Sequence, residues 1–240
     1  IKSILVEYQI DNLENSFYFT HTNDDLFLGF QASAFETLKE SYNDKYEYIL
    51  PDVILDKNLF SSNKFGTADF KSNLKVHNYD TNKFTKFLTN DIDWKFKTFN
   101  LMPGLQSNIL GKLKNVNYEV KNVDEYKKEP NSEIFGALGY LTELNLYKDT
   151  DNNSNHLLTP KLLFRYAPNH MRKENDGPRL NHLNIFNLDR LNTYNNFESG
   201  LSATLGFDYK IKNSPNDFNF SLGQIINEKE NKNMPSSSSL

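Results

Sequence analysis

The chain has 240 residues, a net charge of -4 and 38% hydrophobic residues, with a mean hydropathy of -0.67 and a pI near 5.8. No basic field advertises nucleic-acid binding, no cysteine is present for a disulfide or thiolate metal site, and no apolar run is long enough for a transmembrane helix. A chain this polar would suggest disorder, but 14% aromatic residues, with 19 Phe and 13 Tyr, argue for a folded protein whose strands carry polar residues at alternate positions.

Taken in order, Lys2 to Ile10 alternates and reads as a strand, and Asp11 to Asn15 reads as a turn. Ser16–Thr22 and Leu26–Leu38 follow as strands, although the Ala32–Glu40 end also fits a helical turn. Tyr46–Leu59 contains Pro51, which removes a ladder donor and marks a kink or bulge. Gly66–Val76 and Phe84–Phe99 alternate strongly, with a polar turn at His77–Lys83 and a tight connection at Leu101–Gly104. In Leu105–Val123, Val116, Tyr118 and Val120 oppose Asn115, Asn117, Glu119 and Lys121. Asp124–Asn131 reads as a charged loop, followed by strands at Ser132–Lys148 and His156–Ala167 around a turn at Asp149–Asn155.

Pro168 to about Asn196 is long, polar and without a sustained period, and is expected to be an external loop. Gly200–Lys212 gives the clearest pattern of the chain. Leu201, Ala203, Leu205, Phe207, Tyr209 and Ile211 share one parity, and Ser202, Thr204, Gly206, Asp208, Lys210 and Lys212 share the other. A last strand covers Asp217–Asn227, with Phe218, Phe220 and Leu222 on one face. The expectation is an all-β, antiparallel up-and-down fold of about eleven strands, residues 1–240 forming part of a single domain.

Alternation alone fits a soluble sandwich or barrel as well as a membrane barrel. Strands of roughly ten or more residues suit a tilted membrane crossing. Aromatic residues near strand ends (Phe99, Tyr118, Tyr147, Tyr209) and polar connections point the same way. Facing lipid, the apolar parity forms the outer wall of a transmembrane β-barrel and the polar parity a wet lumen, and closure is obligatory because lipid cannot satisfy a strand edge. The start at Ile1 and the end in MPSSSSL read as cuts through a longer protein, so an open curved sheet is expected.

No catalytic chemistry stands out. Asp91 and Asp93 read as a lumen pair beside Lys95 and Lys97 rather than an acid/base dyad. His170, His182, Glu174 and Asp176 match no zinc spacing, and no phosphate loop or nucleophile elbow occurs. No cofactor or metal is expected.

The block from Leu157 to Lys210 carries Leu158-Thr159-Pro160, Phe164-Arg165-Tyr166-Ala167-Pro168, Asn184-Ile185-Phe186, Asp189-Arg190 and Glu198-Ser199-Gly200-Leu201. It resembles the lipopolysaccharide-assembly outer-membrane proteins, the LptD family. Tyr48-Ile49-Leu50-Pro51, Leu113 to Tyr118, Phe220 to Gln224 and the final MPSSSSL are also similar to it. The resemblance implies signature positions at Thr159, Pro160, Arg165, Tyr166, Pro168, Phe186, Asp189, Arg190, Glu198 and Gly200. It further implies insertion of lipopolysaccharide into the outer leaflet of a Gram-negative outer membrane, without enzymatic turnover. The implied partners are that lipid, a lipoprotein plug inside the barrel and a periplasmic bridge protein reached through a domain outside this stretch. Arg165, Arg172, Lys173, Arg179 and Arg190 are candidate contacts to the polyanionic lipid. One departure is Asn192-Thr193-Tyr194-Asn195, where the family carries a Gly and an Asp.

Overall fold

In a computed structural model, residues 12–39, 45–80, 82–150, 154–174, 179–213 and 216–235 are described. They form one antiparallel sheet of twelve strands and no helix. The strands are β1 (Asn12–Asn23), β2 (Leu26–Thr37), β3 (Tyr46–Ser62), β4 (Gly66–Tyr79), β5 (Lys83–Lys95), β6 (Phe99–Met102), β7 (Leu105–Lys121), β8 (Asn131–Leu144), β9 (Leu146–Thr150), β10 (Ser154–Ala167), β11 (Gly200–Asn213) and β12 (Asn216–Asn227). Each pairs with its neighbours in sequence, with the short β6 against β7 and the short β9 against β10. β1 and β12 are the ends of the order, and no pairing joins them among the described residues.

The expected all-β, up-and-down arrangement is thus observed, with corrections of detail. Asn12 to Asn15 are strand, not turn. β2 stays extended to Thr37, so the helical option for its end is not taken up. β4 runs to Tyr79, shortening the connection to β5. Ser132–Lys148 is divided at Asn145 into β8 and β9. The expected strand at Lys2–Ile10, Asp176 and the run Ser236–Ser239 lie outside the described residues.

Pro51 sits at the expected irregularity. The β2–β3 register runs Gln31↔Asp52 and then Ser33↔Ile49, so Leu50 and Pro51 together oppose Ala32. Two residues against one make a bulge and reverse the parity of β3 on its far side. Val53 and Leu55 lie opposite Phe30 and Leu28, while beyond the bulge Tyr48 and Tyr46 lie opposite Ala34 and Glu36.

The described residues divide into two compact units. The first comprises residues 1–57, 70–90 and 115–133. On β5 and β7 of this unit, Phe87, Val116, Tyr118 and Val120 are buried. Tyr126, from the loop after β7, sets its ring 5.2 Å from both Phe87 and Tyr118. Aromatic contacts of this kind contribute beyond their buried area. Tyr118 is therefore packed inward, contrary to its expected place among exposed strand-end aromatics. On the covered side of β3 and β4, Asp52 accepts from Asn73 and lies near Lys75, and His77 meets Glu47 at 2.6 Å.

The second unit comprises residues 58–69, 91–114 and 134–240, and it leaves large apolar side chains bare on one face while burying several polar ones on the other. On β8, β10 and β11 the apolar parity is bare: Leu138 is 60% exposed, Phe164 51%, Tyr166 52% and Leu205 48%. The opposite parity is buried: polar on β11, with Ser202 at 4% and Thr204 at 0%, mixed on β10, where Arg165 at 1% stands beside Leu163 and Ala167, and apolar on β8, with Phe135 and Ala137. The Tyr166↔Leu201, Phe164↔Ala203 and Leu162↔Leu205 register sets the apolar residues of β10 and β11 side by side.

Equilibrium unfolding tests the packing of the first unit. Phe87→Ala is expected to cost about 3–5 kcal/mol, whereas Lys86→Ala, on the opposite face of the same strand, should stay within about 0.5 kcal/mol.

Candidate functional site

What covers the polar face of the second unit is the segment between β10 and β11. Pro168 cannot continue the β10 ladder as a donor, and Gly200, with a φ of 114°, starts β11 opposite Ala167. Between them the chain lies back over the strands. Met171, Ile185, Leu188, Leu191 and Phe197 are buried, so this is no solvated loop.

Glycines on the strands make room for it. A Cβ built on Gly139 of β8 would stand 2.6 Å from Leu188, on Gly206 of β11 2.9 Å from Phe186, and on Gly223 of β12 2.1 Å from Ile185. A side chain at any of the three would push the tips of Leu188, Phe186 or Ile185 off their seats, and at Gly206 it would also meet the Leu222 carbonyl 2.4 Å away. Lys161 lies 5.7 Å over the Phe186 ring, and Thr204 donates to the Ile185 carbonyl.

A buried ionic knot fastens the remainder. Arg190 donates from Nε and Nη2 to the two carboxylate oxygens of Glu198, each at 2.7 Å, and from Nη2 to Ser202 at 2.9 Å. Arg165 donates from Nε to the Leu188 carbonyl at 2.7 Å and from Nη2 to the Glu198 carbonyl. Lys114, reaching from β7, donates to Asp189 at 2.9 Å and to the Thr193 carbonyl. Asp189 in turn accepts from the Asn192 amide. Phe197 is fully buried, with Arg165 and Lys114 over its ring at 5.5 and 5.9 Å and Phe135 6.4 Å away.

Beside the knot, Lys112 bridges Asp93 at 2.8 Å and Asp91 at 3.6 Å. Asp91 also lies 3.9 Å from Lys114. The two aspartates thus pair with lysines of the neighbouring strand rather than with Lys95 and Lys97 of their own stretch. Such tightly coupled pairs hold geometry at least as much as they add stability, since desolvation offsets much of their attraction. A polar cavity of about 600 Å³ adjoins them, lined among others by Asp69, Asp93, Lys112, Asn184, Asn187 and Asn192.

Five of the ten signature residues meet here. Arg165, Phe186, Asp189, Arg190 and Glu198 converge from two blocks separated along the chain. Thr159 points to the same face and donates to Asn145. Pro160 and Tyr166 belong to the bare parity of β10, away from the knot, and Pro168 borders an apolar recess beside Tyr166. Of the five cations considered for lipid contact, Arg165 and Arg190 are buried and engaged within the protein. Arg172 donates its backbone amide to the Asn196 side chain and its guanidinium to the Asn195 carbonyl, and that guanidinium lies 6.0 Å over the Phe135 ring. Lys173 and Arg179 are exposed. The departure at Asn192 is accommodated: its φ is 49°, a left-handed conformation that asparagine tolerates better than most residues.

Lys112, Lys114, Phe135 and Phe197 were not singled out as site residues, and their signal was faint. Lys114 falls within the Leu113 to Tyr118 stretch of the resemblance, and it and Lys112 share parity with Val116 and Tyr118, two cations leading into an apolar run. Among the described residues no group of His, Asp or Glu is arranged to hold a metal. No family model matches the chain, and no curated protein matches it.

Limited proteolysis tests the fastening role. Glu198→Ala leaves Arg190 buried without its carboxylate, a change that costs about 3–5 kcal/mol in buried pairs. Trypsin should then cut after Arg190, which stays protected in the parent protein and in Lys210→Ala.

Proposed function

We propose that this chain is part of the wall of an outer-membrane β-barrel of the lipopolysaccharide-assembly (LptD) type. Its bare apolar parity faces lipid and its polar parity faces the lumen. The carrying observation is the bare apolar face of the second unit, where Leu138, Phe164 and Leu205 are exposed while Arg165 and Thr204 are buried. Water would leave that face wet; hydrocarbon is the solvent that suits it. The connections support the same reading. Those at 24–25, 63–65, 151–153 and 214–215 are short, with 96–104 the longer one at those strand ends, and those at 38–45, 122–130 and 168–199, at the other ends, are longer, with 80–82 the short one there. Outer-membrane barrels have short periplasmic turns and long external loops.

For the assembly family in particular, the support is that residues quoted for the resemblance form one device. Arg165, Asp189, Arg190 and Glu198 secure the segment against the sheet, as a motif kept for its geometry would. On this reading the segment narrows the lumen along which lipopolysaccharide passes to the outer leaflet. The chain supplies wall and lumen lining rather than catalysis. The lipoprotein plug and the periplasmic bridge are the partners the resemblance implies. A general porin is the competing reading within outer-membrane barrels.

Two measurements separate these. Depleting the protein in its own cell should remove newly made lipopolysaccharide from the outer leaflet while it accumulates behind it. Normal surface lipopolysaccharide with reduced uptake of small solutes would favour the porin. Leu205→Arg should lower recovery in the outer membrane, since a cation on a lipid face costs about 2–4 kcal/mol at mid-bilayer. Lys210→Ala, on the other face of β11, should not.

A further inference from the structure

The bare face of β5, β7 and β8 changes character partway along each strand. On β7 one parity runs Ile109, Gly111, Leu113 and then Asn115, Asn117, Glu119, Lys121. The other runs Lys112, Lys114 and then Val116, Tyr118, Val120, the last four buried. Both faces therefore exchange polarity within one pair of residues. β5 repeats it only in part, since Leu88 beyond Asn90 is an exposed apolar residue and Phe87 stands between two threonines. Ile92 and Trp94 share parity with Asn90, Leu88 and Lys86, while Asp91 and Asp93 share parity with the buried Thr89, Phe87 and Thr85. On β8, Leu138 and Ile134 give way to Ser132.

At the step, polar side chains link strand to strand within the first unit. Ser72 of β4 donates to Asn90 of β5 at 2.8 Å, Asn90 to Asn115 of β7 at 3.4 Å, and Asn115 to Ser132 of β8 at 3.1 Å. Asn117 donates to Asn115 at 2.6 Å. A strand with a single solvent on each face has no reason to exchange both faces at once, whereas one that passes from hydrocarbon into water must do so on its lipid side. Amide and hydroxyl groups stand where neither fully apolar nor fully charged residues fit, with Leu113 and Ile134 on one side and Lys86, Glu119 and Lys121 on the other. On β3 Tyr46 and Tyr48 are exposed, while on β4 Leu74 and Val76 are half-buried and share parity with Ser72.

We infer that the row Asn90–Asn115–Ser132 is where the lipid headgroup layer meets this wall. Its amides and hydroxyls face phosphate and hydroxyl groups, and β5, β7 and the start of β8 stand in water beyond it. This rests on the membrane reading above.

The 240 residues hold no cysteine, which suits single-site labelling. Bimane is attached at Leu113→Cys, Asn117→Cys, Glu119→Cys, Ile134→Cys, Leu138→Cys and Leu205→Cys in the intact protein, in phosphatidylcholine vesicles with brominated acyl chains. Labels within the hydrocarbon, at Leu113, Ile134, Leu138 and Leu205, should lose about half their emission or more. Labels at Asn117 and Glu119 should keep theirs, and those cysteines should react with a membrane-impermeant maleimide. Quenching of Asn117 and Glu119 equal to that of Leu113 overturns the inference and leaves the membrane wall intact. So does an unquenched Leu113 and Ile134 beside a quenched Leu138 and Leu205. Absence of quenching at all six sites overturns the membrane reading and the inference with it.

Discussion

The structure of the second unit depends on the burial of a polar sheet face. A strand face bearing Arg165, Ser202 and Thr204 cannot be covered by an ordinary apolar layer, because each donor would lose its water without replacement. The 168–199 segment solves this by bringing acceptors rather than methyl groups alone. Two of its backbone carbonyls go to Arg165, a carboxylate with a further carbonyl goes to Lys114, and its own Arg190, held by Glu198, donates to Ser202. Its aliphatic residues then fill the spaces over glycines.

Legibility from sequence tracked periodicity. β11 was readable residue by residue because its two parities never mix, and β10 and β4 nearly so. Pro51 announced its bulge because a missing amide hydrogen has one consequence in a ladder. The 168–199 segment was opaque for a physical reason: a chain that is shaped by tertiary contacts rather than by its own ladder has no period to read. Even so, Asp189, Arg190 and Glu198 stood out within it by resemblance, and these are among the residues that hold it down. Tyr118 misled because parity reports which residues lie together and not which side is covered. On β7 the covered side changes from lysines to aliphatic and aromatic residues between Lys114 and Val116.

The aspartates of β5 show the same limit. Spacing along one strand suggested lysines of that strand as their companions, but i,i+2 neighbours on a strand are farther apart than residues across a ladder. Lys112 and Lys114 of the next strand take the role. Cross-strand partners are set by register, which no local window contains.

The bulge at Leu50 and Pro51 has a consequence for how this wall tolerates change in length. Along β3 the sequence is out of step with itself: even-numbered residues face one way before the bulge and odd-numbered residues face that way after it. The extra residue acts as a frame correction, and the strand is legible as one continuous apolar face only because of it. Loss of a single residue here would turn Tyr46 and Tyr48 to the other side of the sheet while leaving Val53 and Leu55 in place. A loop would absorb such a deletion; this strand would carry it to its end as a reversal of inside and outside.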